Sequence, residues 1–163
     1  IRMTAARWTK IAMVAALALF AGLVAFSNIT DYAANRPFVQ HVLSMDTTFR
    51  DPAVMYRAIE APWIRTAGYG AIIAGEVATA AGFAFAAARL LAARAAPSAV
   101  FNAAKAPVHL AALAGFLVWF VGFLAVGGEW FEMWQSPTWN GQEPAFRFYM
   151  TILAVLIYVN QPD

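Results

Sequence analysis

Glu76 is the residue whose type and place ask most of the chain. It lies inside an apolar run, twelve residues after Ile64 and fifteen before Leu91. An ionisable group inside a bilayer is costly unless it is paired, protonated or hydrated, and marks a functional position by default. No Lys or Arg stands at the same depth in the other apolar runs. The carboxyl is therefore expected to be protonated, or hydrogen-bonded to a backbone group or to a hydroxyl such as Thr79. It can serve as a proton or cation site, as a polar contact with another subunit, or as a packing hydrogen bond.

The two histidines, His41 and His109, are the remaining candidates for ligation. They flank different apolar runs and fall on opposite sides of a membrane, so one haem cannot use both. His109 suits a lipid headgroup or quinone contact near the start of its run. Asp31, His41, Asp46, Asp51, Glu129 and Glu132 gather in the connections on the other side. Carboxylates with one histidine can bind calcium or zinc, but no HExxH pair or EF-hand loop is present. Arg36, Arg50, Arg57 and Arg147 can satisfy the same acids. There is no cysteine, hence no disulfide and no thiolate site. No nucleophile stands beside a base, and no Gly-rich phosphate loop appears. The reading is a non-enzyme without metal or cofactor, a bound lipid or quinone excepted.

The elements that must position these groups are membrane helices. Of the 163 residues, 62% are hydrophobic and 12% charged, against about 25% charged in a soluble domain. A net charge of +2 is too small to suggest nucleic acid. Four apolar runs predict spans over about 9–27, 64–91, 108–130 and 145–160. The first, behind Arg2, Arg7 and Lys10, also fits a signal peptide; its length favours a retained helix. In the second, Ala71, Gly75, Ala78, Gly82 and Ala86 recur at spacings that let helices approach closely in lipid. The fourth is short and needs Arg147 and Asn160 to snorkel, or the bilayer to thin.

The connections at 28–63 and 131–144 complete one membrane domain, residues 1–163. Val39, Val42, Leu43 and Phe49 predict a short amphipathic helix on the membrane surface. Residues 35–50 and 130–147 are expected to pack together as a partly helical extracytoplasmic cap. Arg2, Arg7, Lys10, Arg89, Arg94 and Lys105 lie in short flanks without acids, whereas the other side mixes basic residues with seven acids. The density of basic residues places both termini in the cytoplasm. Trp63, Trp130, Trp134 and Trp139 then form an outer aromatic belt. The fold class is an all-α membrane four-helix bundle.

Three long strings resemble a known family. They are Asn28-Ile-Thr-Asp-Tyr-Ala-Ala-Asn35, Phe38-Val-Gln-His-Val-Leu-Ser-Met-Asp-Thr-Thr-Phe49, and Trp134-Gln-Ser-Pro-Thr-Trp-Asn-Gly-Gln-Glu-Pro-Ala-Phe-Arg-Phe148. The family is the bacterial one described as predicted small integral membrane protein, domain-of-unknown-function family 2165. The resemblance covers nearly the whole chain. It implies four transmembrane helices and a bacterial source, and no activity; the expected location is the bacterial inner membrane.

From the residues, the expected role is a non-catalytic accessory subunit of a larger membrane complex, respiratory or photosynthetic. It would contact other membrane subunits and lipids through Gly/Ala faces. Its docking surface would use Asp31, Arg36, His41, Asp46, Arg50, Trp130, Trp134, Trp139 and Arg147. The alternatives are a small oligomeric channel or transporter with Glu76 as its ion site, and a quinone- or lipid-binding protein.

Overall fold

The computed structural model describes residues 2–163, with side chains from Ala5 onward; the side chain of Arg2, counted above in the basic flank, lies outside them. Among the described residues helices dominate and there are no strands. The long helices are α1 (Arg2–Thr30), α2 (Tyr32–Ser44) and α3 (Pro62–Ala92). After a short α4 (Ser98–Ala103) come α5 (Ala106–Phe116), a π-helical continuation (Leu117–Trp130) and α6 (Gln142–Asn160). Three stretches are long and apolar enough to cross a membrane: Ala5–Thr30, Pro62–Ala92 and Ser98–Trp130. α6 is not among them. It nevertheless packs into the same core through Ala145, Tyr149, Ile152 and Val159.

The boundaries follow from local chemistry. Pro62 begins α3, where its missing N–H costs nothing. Asp31 separates α1 from α2, so the two form a broken but nearly continuous helix. α2 begins earlier than the apolar spacing predicts and ends at Ser44, so Phe49 lies beyond it, exposed, after a turn. Pro37 sits inside α2, where it removes the hydrogen bond to the Ala33 carbonyl.

The π segment was not expected. Its turns close five residues back, as where the Phe131 N–H donates to the Val126 carbonyl at 3.0 Å. π-helix is rare and usually a single turn. Gly122, Gly127 and Gly128 fall within this one.

The core runs between α1, α3, α5 and α6. Val14, Leu90, Phe101 and Val108 are fully buried, and Phe83 and Trp119 nearly so. Phe20 of α1 meets Phe148 of α6 edge-on with ring centroids 4.7 Å apart, and Trp119 stands 5.5 Å from Phe148. Exposed Leu19, Leu23, Phe26, Leu110, Leu113 and Leu117 form the outward faces of α1, α5 and its π-helical continuation.

At one end the termini meet. Lys10 Nζ and Lys105 Nζ both donate to the Gln161 carbonyl, at 2.6 and 2.9 Å. Arg7 Nε donates to Asp163 at 2.6 Å, and its Nη1 to the carbonyls of Arg94 and Ala96 at 2.8 and 2.7 Å. All three cations are buried. The last carbonyls of a helix have no intrahelical donors, and its dipole favours cations there. Basic residues that the sequence offers as a topology signal therefore also tie down the end of α6.

Candidate functional site

Glu76 is 1% exposed, on the face of α3 that also buries Tyr69, Thr79 and Phe83. Its partner is Asn28 of α1, whose Nδ2 donates to Oε1 at 2.9 Å and Oε2 at 2.8 Å. The expected Thr79 contact does not form: the Thr79 hydroxyl donates to the Gly75 carbonyl at 2.8 Å, one turn back on its own helix. The Tyr69 hydroxyl donates to the Asn28 backbone carbonyl at 2.8 Å. The Tyr32 and Tyr69 rings lie 4.9 Å apart. Asn28 thus joins the broken end of α1 to two turns of α3, through its side-chain amide to Glu76 and its backbone carbonyl to Tyr69.

Asn28 also fixes the depth of Glu76. It stands two residues before the end of α1. Glu76 follows Pro62 by fourteen residues, so roughly 21 Å of α3 continues past this level. That half of α3 runs beside α2, where Gly68 lies close to Leu43 and Val39. Glu76 is central in its helix but level with the polar end of α1.

A cavity of about 200 Å³ opens on this amide, lined by Asn28, Asn35, Phe38, Tyr69 and Phe123 among others. An apolar cavity of about 210 Å³ shares Phe38, Val39, Ile72 and Phe123 with it, and includes Gly68, Gly122 and Gly127. The arrangement offers an amide carbonyl at the edge of an apolar space. It offers no nucleophile–base pair.

The other sequence candidates fall elsewhere. His109 is exposed on α5, its Nδ1 3.3 Å from the Lys105 carbonyl. His41 stacks on Trp139 at 4.7 Å and 10°, with Nδ1 2.8 Å from Asp46. The acids do not converge: among the described residues no three His, Asp or Glu side chains could hold a metal together. Asp31 is exposed and its backbone carbonyl accepts from Ala34 and Asn35. Arg36 reaches Thr66 at 3.3 Å. Arg50 is exposed with φ of 57°, and Arg147 pairs with Glu143 on α6.

Residues 41–59 and 130–139 do meet. Val42, Met45, Phe131 and Met133 form a buried cluster with Phe38, Val54 and Trp139 against it. Thr47 Oγ1 and Ser136 Oγ are 2.8 Å apart, and the Phe49 N–H donates to Gln135 Oε1 at 2.9 Å. Arg57 lies 4.9 Å over Trp130 and 3.6 Å from Glu132. Trp134 stands edge-on to Phe49, half exposed.

Two participants escaped the sequence reading. Asn28 stands out in the sequence only as the start of the Asn28–Asn35 string that resembles the family, and Tyr69 not at all. Their role depends on the register of α1 against α3, which a single sequence does not display.

No curated protein and no solved structure matches the chain. The model of one family matches residues 6–162, almost the whole length and all of the elements above. The chain belongs to the family of predicted small integral membrane proteins described as domain of unknown function 2165.

Proposed function

We propose that this protein is a non-catalytic packing subunit of a larger bacterial membrane assembly. It crosses the inner membrane four times, with both termini cytoplasmic and α2 outside. The outward face of α3 carries the reading. There Gly70, Ala71, Ala74, Ala78, Ala81 and Ala84 are exposed, with Val77 and Phe85 the large side chains among them; the outward faces of α1 and α5 carry more large side chains, Leu19, Leu23, Phe26 and Ile29 on one and Leu110 and Leu113 on the other. A Cβ added at Gly70 would meet nothing within 4 Å. Small residues give lipid little to pack against but let a second helix approach closely. The stripe seen in the sequence straddles an edge: Gly82 and Gly75 face Ala111 and Val118, while Ala71 and Ala78 face outward.

The test exploits the absence of cysteine from the chain. Cysteines placed singly at Ala74, Ala81 and Leu113 should be crosslinked in intact native membranes. Adducts to one defined membrane polypeptide are expected from 74 and 81 and not from 113. Equal yields from all three, or no adduct from α3, would refute the packing face.

A second reading has its own support. Asn28, the partner of Glu76, lines a cavity through which an ion or proton would approach the pair. Glu76→Gln in reconstituted vesicles would then abolish a flux that the parent shows.

A further inference from the structure

A groove of about 430 Å³ runs between α1 and α6. Met13, Leu17 and Phe20 line one wall, Phe148 and Val155 the other, and Arg147 stands at one end. Two contacts set the helix register. Lys10 reaches Gln161 at the terminal end, and Phe20 meets Phe148 further along. Beyond that ring pair α1 stays apolar, with Leu23, Phe26 and Ile29 all more than half exposed. α6 instead becomes charged at once, with Arg147 71% and Glu143 77% exposed. Ile29 lies nine residues past Phe20, roughly 13 Å of helix. On the α6 side the apolar surface ends that much lower.

A short span brings the polar boundary toward it, through local thinning or snorkelling. Helical side chains tilt toward the N-terminus, so Arg147 points along α6 toward Glu143 and away from the groove's apolar floor. A guanidinium fork matches phosphate oxygens. Glu143, one turn further on and ion-paired with Arg147, would repel a purely anionic headgroup and accept an ammonium.

We propose that this groove seats one amine-bearing glycerophospholipid. Its phosphate lies on Arg147, its ammonium on Glu143, and one acyl chain runs along Leu17, Phe20 and Val155 toward Met13. The lipid sits deeper than its neighbours beside α1 and completes the outer half of the α6 surface. The site rests on the four-span reading and is independent of the partner at α3.

Native mass spectrometry of the purified chain tests it, after exchange into micelles containing phosphatidylethanolamine or phosphatidylglycerol. The parent should retain one phosphatidylethanolamine, at least ten-fold over phosphatidylglycerol. Arg147→Gln should lose it, and so should Ala16→Trp, which fills the exposed groove wall and leaves both charges in place. Glu143→Gln should bring the two lipids to equal retention. Millimolar inorganic phosphate should not displace the lipid; displacement would reassign Arg147 to free phosphate and overturn the proposal. Retention unchanged in Arg147→Gln and Ala16→Trp at unchanged helicity, or no lipid on the parent, would also overturn it. Topology is read separately. A cysteine at Thr138, and not one at Gln161 beyond the end of α6, should react with an impermeant reagent from outside. That pattern without a retained lipid removes the site alone; the reverse pattern removes the spanning of α6.

Discussion

Replacing Gly82 with leucine should push α3 away from α5 and cost about 3 kcal/mol, at the upper end of overpacking penalties. A Cβ at Gly82 would stand 3.0 Å from the Ala111 Cβ and 3.3 Å from its Cα. The second distance is to backbone, which cannot rotate aside. Packing in lipid draws on dispersion, which close approach supplies and separation removes. Gly70→Ala is the control, since its Cβ meets open space and alanine recovers about 0.5–1 kcal/mol of helix preference. Reversible unfolding in mixed micelles measures both. A tolerated leucine at position 82 would mean that α3 and α5 are not held at this distance.

The Asn28–Glu76 pair should behave asymmetrically. Glu76→Leu leaves the Asn28 amide without an acceptor, a loss of about 1–3 kcal/mol. Asn28→Leu leaves a buried carboxyl without a donor, and charged or ionisable groups stranded in this way cost more, about 3 kcal/mol or above. The double leucine variant removes both polar groups and should recover much of the loss. Glu76→Gln keeps an acceptor toward Asn28 and should cost about 1 kcal/mol or less, the scale of interhelical hydrogen bonds in membranes. Because both partners belong to this chain, the loss should register in the chain's own unfolding. A double-mutant cycle reads the coupling directly. Additive single effects would mean that the two side chains do not interact.

Hydropathy made α1, α3 and the third apolar stretch legible, because a span needs length and apolar composition and little else. It could not place α2, whose opening Tyr-Ala-Ala-Asn-Arg carries no apolar stripe and whose helix follows directly on α1 rather than on an amphipathic start at Val39. Nor could it announce the π segment, since an i→i−5 ladder leaves no period that Leu117–Trp130 displays. Glu76 stood out as the group that needs a partner, but Asn28 did not stand out as that partner. It lies 48 residues away, and only antiparallel packing brings it level. Arg7, Lys10 and Lys105 were read as topological signals from composition. Their buried bonds to the end of α6 depend on where that helix finishes in space. The α3 stripe was visible, but which edge faces α5 is decided by Tyr69, Glu76 and Phe83 turning inward.

The packing face is tested most directly by one comparison: purification from native membranes in mild detergent, of the parent and of an Ala74→Leu/Ala81→Leu chain. Both substitutions lie on the exposed face of α3, away from the groove that Ala78 and Gly82 form against Ala111 of α5. The account predicts that the parent co-migrates with a defined second membrane polypeptide at fixed stoichiometry. The double leucine chain should run alone, equally helical and equally stable. A parent that runs alone, or a double variant that keeps the partner at the same stoichiometry, would contradict it.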